Sequence, residues 1–135
     1  MNALRIAVVS FLLLVSVHAS AASDDADLKQ CLENVNAAQC LWAIHALEDK
    51  RLNEVYKRSM QAANENSPSL AATLKKSEQA WIKFRDEWCK FVSEWEGGTL
   101  TKTVFAYCNA ELTRRRADEL TFYSSTDSSR SRFAK

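Results

Sequence analysis

Only three residues in this chain of 135 end a helix outright: Pro68, Gly97 and Gly98. A β-rich or loop-rich fold needs many more, because tight turns call for a positive or a locked φ. The chain must therefore run in a few long helices joined by few turns. At 47% hydrophobic it carries enough apolar material for a packed core, and its length suits one domain rather than two.

The N-terminus reads differently from the rest. Arg5 precedes a 12-residue apolar run, Ile6 to Val17, and the small residues HASAAS follow. That is the layout of a secretory signal peptide over residues 1–21, too short to span a bilayer. The expected mature product is a domain over 22–123 with a polar, Ser-rich tail over 124–135, in the periplasm or secreted, with no stable membrane insertion. Losing Arg5 takes the net charge from +1 to zero. A polyanion-binding protein is normally basic, so nucleic acid is not an expected partner.

Asn34-Val35-Asn36 reads as a turn after a short polar lead-in. From Ala38 to about Ala63, the residues Leu41, Ile44, Leu52, Val55, Tyr56 and Met60 recur at helical spacing. Ser67-Pro68 then signals a new helix, with Ser as N-cap and Pro at the first position. Leu70, Leu74, Ser77, Trp81, Phe84, Trp88, Phe91 and Trp95 follow at alternating spacings of four and three. Such a heptad-like seam predicts a helix packed along most of its length, with this row in the core. Gly97-Gly98 caps it, and a last helix starts near Thr99–Thr101 and carries Phe105, Cys108, Leu112, Leu120 and Tyr123. The expected fold is all-α: a small disulfide-stapled bundle of three main helices plus a short N-terminal helical segment.

Cys31, Cys40, Cys89 and Cys108 are an even set in a small exported domain, which reads as two disulfides with three possible connectivities. The helix layout chooses among them. Positions 89 and 108 are symmetric to within one residue about Gly97-Gly98, so antiparallel helices folding back there bring these thiols together. Cys31–Cys40 is left as the second bridge, centred on the Asn34–Asn36 turn. The same fold-back sets Trp81 near Arg116 and Arg85 near Leu112. It predicts a cation–π contact of Arg116 with Trp81, with Glu78 or Asp86 as counter-charge.

Catalytic chemistry finds little to work with. His45 is the one histidine beyond the leader, so neither a His-based metal site nor a Ser-His-Asp arrangement can be assembled around it. The adjacent acids Asp24/Asp25, Glu48/Asp49, Asp86/Glu87 and Asp118/Glu119 point in different directions on a helix and are not preorganised pairs. Two glycines cannot build a phosphate loop. No catalytic residue, metal or cofactor is expected. The hairpin tip, Glu94-Trp95-Glu96-Gly97-Gly98-Thr99, is the candidate partner-binding surface, where Trp95 either anchors a protein partner or closes the end of the core.

The chain resembles the LprI-type lysozyme-inhibitor domain over about residues 31–121. The resemblance is carried by Leu52-Asn53-x-x-Tyr56, then Gln79-Ala80-Trp81-Ile82-x-Phe84-Arg85-Asp86-x-x-Cys89, then Gly97-Gly98, then Cys108 with Leu112-Thr113-x-x-Arg116-x-x-x-Leu120. It implies a small exported helical domain of the bacterial envelope that binds lysozyme and protects peptidoglycan. The motif residues describe a scaffold more than a contact surface. An immunity or adaptor protein for a different envelope or secreted protein, without lysozyme inhibition, is the competing expectation.

Overall fold

The computed structural model describes residues 20–124, and over that span the chain is all-α. The helices are α1 (Ser20–Leu32), α2 (Ala37–Asn66), α3 (Pro68–Glu96) and α4 (Thr101–Ser124), with one 3-10 turn, Gly98–Leu100, leading into α4. The short N-terminal helical segment expected is a helix of 13 residues. Of the leader assigned to residues 1–21, only Ser20 and Ala21 fall among the described residues. Of the tail only Ser124 does, and it is the last residue of α4.

The helix ends follow the local signals. Asn34 Oδ1 accepts the Asn36 backbone N–H at 2.9 Å, closing the α1–α2 turn. Ser67 Oγ accepts the Leu70 N–H at 3.2 Å while Pro68 takes the first helical position of α3, a cap worth ~1 kcal/mol. Gly97 and Gly98 adopt φ of 64° and 61°, the left-handed region in which a side chain would be strained.

The most extensive packing joins α2 to α4, which run parallel. Leu41 sits with Ala106 and Ala110 at one end, and Leu52 and Val55 sit with Ala117 and Leu120 at the other. Alanines 106, 110 and 117 are fully buried. Small side chains let two backbones approach closely, so the inner face of α4 is built from Ala106, Asn109, Ala110, Thr113, Arg114, Ala117 and Leu120. Among the positions expected to face inward, Leu120 is buried, Phe105, Cys108 and Leu112 are half-buried, and Tyr123 is exposed.

Helix α3 runs antiparallel to α4, and here the expected seam is overturned. Its buried residues are Ala71, Glu78, Cys89 and Ser93, with Leu74 and Trp81 partly buried against the α2–α4 core. Leu70, Phe84, Trp88, Phe91 and Trp95 are exposed. The reason is rotational. Cys89 must face α4 to meet Cys108, and each residue turns the helix by about 100°, which swings Phe84, Trp88, Phe91 and Trp95 away from the core and leaves Leu74 and Trp81 at its edge.

Candidate functional site

Both disulfides form as the layout predicts: Cys31–Cys40 and Cys89–Cys108, each with Cα atoms 5.5 Å apart. The second staples α3 to α4 beneath the tip. Midway along the same helix pair, two guanidinium groups share one indole. Arg85 lies 5.3 Å and Arg116 5.8 Å from the Trp81 ring centroid. Arg116 donates to Glu78 Oε2 from Nε (3.0 Å) and Nη2 (2.9 Å), and to Glu119 at 2.6 Å. Arg85 donates to Asp86 (2.8 Å) and to Thr113 Oγ1 (3.2 Å). Burial alone would lower the Arg116 pKa, but the hydrogen bonds and charges of Glu78 and Glu119 outweigh it and hold the pKa above its ordinary value.

These arginines are packed and satisfied, with side chains only 12% (Arg85) and 10% (Arg116) exposed. They tie α3 to α4 and leave little charge to offer a ligand. A shallow cleft of about 190 Å³ between α2 and α3 touches Arg85, Glu78 and Asn53. A larger one of about 320 Å³ lies at the Ser67 end, lined by Leu70, Leu74, Leu120 and Tyr123. No carboxylate, imidazole or amine lines the larger cleft. Among the described residues no group of three or more His, Cys, Asp or Glu side chains gathers to hold a metal.

His45 is half-buried on α2, edge-on to Trp42 at 5.2 Å between ring centroids. Its pKa is lowered from 6.5, first by desolvation and then by the Arg85 charge, against the opposing pull of Asp49 and Asp86. A base whose folded pKa is depressed favours folding while it is neutral. Its contribution is present above the unfolded value and is lost as pH falls from there through the lower folded value. The wild-type urea midpoint should therefore drop on going below pH 6.5, and His45→Gln should reduce that drop.

At the tip, Trp95 is 78% exposed and does not close the core. Glu94, Glu96, Gly98 and Thr99 are exposed as well, and Gly97 is half-buried. Thr101 donates its hydroxyl to the Gly98 carbonyl at 3.0 Å and is committed to the turn. The residues thus form an acidic rim around one exposed indole, tilted against Phe91, on a backbone held by the glycine cap and, eight residues down α3, by the disulfide.

The Lysozyme inhibitor LprI family model matches residues 18–120. The chain belongs to the LprI family. Its LprI motif divides between interior and surface. Leu52, Thr113 and Leu120 are buried; Tyr56, Trp81, Arg85 and Arg116 are partly buried at helix contacts; Asn53, Phe84 and Asp86 are exposed. Asn53 donates to the Asp49 backbone carbonyl at 2.8 Å, one turn back on α2. An uncharacterised protein of Rhizobium meliloti (strain 1021) is 29% identical to this LprI chain over 123 residues, 83% of this chain and 88% of the relative. No solved structure matches. Among the described residues, no helix of this LprI chain is long and apolar enough to cross a membrane.

Sequence reasoning missed two features. Arg114 is buried and pairs with Glu111, which also takes Arg115. Glu111, three residues before Arg114 on the same helix, was the available clue. The spacing of the outward row of aromatics on α3 predicts core, although the position of Cys89 carries the opposite message.

Proposed function

We propose that this protein is exported and acts as a binding protein rather than an enzyme, blocking a peptidoglycan-cleaving lysozyme through its hairpin tip. Membership of an inhibitor family supports the target class. The observation that carries the choice of surface is Trp95, exposed between Glu94 and Glu96 at the end of a stapled hairpin. Occlusion requires a rigid projection and no chemistry of its own. The two acids steer a cationic enzyme toward the tip, the indole supplies an apolar anchor, and exposed Thr99 and Lys102 offer hydrogen-bond donors to the acidic groups of a glycan cleft. Because the backbone is held before contact, little ordering entropy is lost on binding.

The test is clearance of a peptidoglycan suspension by lysozymes of several types, with and without the oxidised protein. Trp95→Ala with Glu96→Ala should weaken inhibition at least tenfold while the helical circular-dichroism signal is unchanged. Unaltered inhibition by that variant excludes the tip. A wild-type protein that inhibits none of the enzymes favours the immunity or adaptor role.

A further inference from the structure

Phe84, Trp88, Phe91 and Trp95 stand in one row on α3 and are 54%, 46%, 52% and 78% exposed. Successive ring centroids are 6.2, 5.7 and 6.0 Å apart, so the rings form a continuous strip along about 16 Å of helix. At ~200 Å² for an aromatic side chain, roughly 450 Å² of ring surface stays in water. That is the size of the largest patches found on monomers, ~300–600 Å², which are often functional.

We propose that a second copy of the chain covers this strip, through an antiparallel contact of α3 with α3 about a twofold axis. The first ground is the symmetry of the row. Positions 84 and 95, and positions 88 and 91, are equidistant from the point between Cys89 and Lys90. Turning one helix over the other therefore lays Phe84 on the partner's Trp95 and Trp88 on the partner's Phe91, a Phe–Trp pair at every step. A twofold interface requires this kind of self-complementarity, and the alternating three- and four-residue spacing is that of a helix–helix seam.

The second ground is charge. Lys83, Glu87, Lys90 and Glu94 follow one another along a single flank of the row, alternate in sign, and are all exposed. Read in the opposite direction on a second copy, the order complements itself. Lys83 comes beside the partner's Glu94 and Glu87 beside the partner's Lys90, each offset by two residues, or about 3 Å of helix. In a parallel twofold pairing this flank would lie across the seam from the partner's copy of it, and these charges would not meet. The flank thus selects the same orientation as the rings.

The third ground is area. Two strips contribute roughly 900 Å² before the charged flanks are counted, close to the ~1,000–1,200 Å² at which specific interfaces begin. A contact of this size gives a concentration-dependent dimer rather than an obligate one. Trp95 belongs both to this strip and to the tip, so the dimer and any tip-bound complex exclude each other. The dimer itself does not depend on the reading of the tip.

Sedimentation equilibrium of the oxidised protein should show a monomer–dimer equilibrium. Trp88→Glu should raise the dissociation constant at least tenfold with both cystines and the helix content intact. Lys83→Glu with Lys90→Glu should weaken association as well, and adding Glu87→Lys and Glu94→Lys should restore it. A wild-type protein that stays monomeric up to about 1 mM overturns the proposal. So does a dimer indifferent to both sets of variants, or a monomer whose tryptophan fluorescence shifts only on adding lysozyme or soluble glycan. Assaying Trp88→Glu for lysozyme inhibition separates the two readings, since a failed inhibitor can still dimerise and a strict monomer can still inhibit.

Discussion

Glu78→Ala should destabilise the fold by about 3 kcal/mol, a large share of the ~5–15 kcal/mol available to a domain. The Glu78 and Arg116 side chains are 8% and 10% exposed, and a single carboxylate oxygen receives two guanidinium donors. Truncating the acid leaves a largely buried cation lying against Trp81, and the desolvation already incurred by that cation is no longer offset. Glu119 stays within reach of Arg116 at 2.6 Å but is itself half-exposed, which keeps the effect near the lower end of the range for broken buried pairs. The measurement is the urea midpoint at constant m-value. Replacing both partners together, Glu78→Leu with Arg116→Met, should recover most of the loss, because no charge is then stranded. A cost below about 1 kcal/mol for Glu78→Ala would place the pair with ordinary surface bridges.

Removing the α3–α4 staple should have an effect of similar size. The Cys89–Cys108 bridge spans 19 positions, and chain entropy assigns a loop of that length about 3 kcal/mol. The Cys89→Ala, Cys108→Ala double variant should therefore melt roughly 12–24 °C lower in a domain of this size. Cys89 is fully buried, so the two alanines also leave a small packing defect. Reducing both cystines with dithiothreitol should lower the midpoint further, since Cys31–Cys40 is then lost as well. An unchanged midpoint in the double variant would mean that packing alone fixes the register of α3 on α4.

The cystine pairing and the Arg116–Trp81 contact were legible in the sequence for one reason. An antiparallel helix pair with a known turn converts sequence position into height, so residues equidistant from Gly97-Gly98 must be neighbours. Which side of α3 faces inward was not legible from its apolar row. Spacings of three and four mark a stripe without saying what lies against it, and large aromatics invite a core assignment. What turns the helix is the smallness of Ala71, Cys89 and Ser93, set against an alanine-lined α4. Periodicity counts apolar residues, whereas close helix approach selects small ones. Glu78 was legible as a counter-charge, but its depth depends on the rotation of α3 and followed only from the structure. For the tip, sequence gave two roles for Trp95, and exposure removed one.

The two cystines are not spread evenly along the bundle. Cys40 and Cys31 pack with Leu41, Ala106 and Ala110, and Cys108 lies between those two alanines on α4. Both covalent links, α1 to α2 and α3 to α4, therefore lie in the half of the molecule nearest Gly97-Gly98, and the half around Ser67 is closed by side-chain packing and ion pairs alone. The bundle resembles a clamp riveted at one end. An opening between α3 and α4 that begins at the Ser67 end spreads until it reaches the Cys89–Cys108 level, where those two helices can no longer separate without breaking a bond. The end that carries the glycine turn thus keeps its shape through fluctuations that disorder the rest, and the motion of the molecule is sent toward the end opposite the tip.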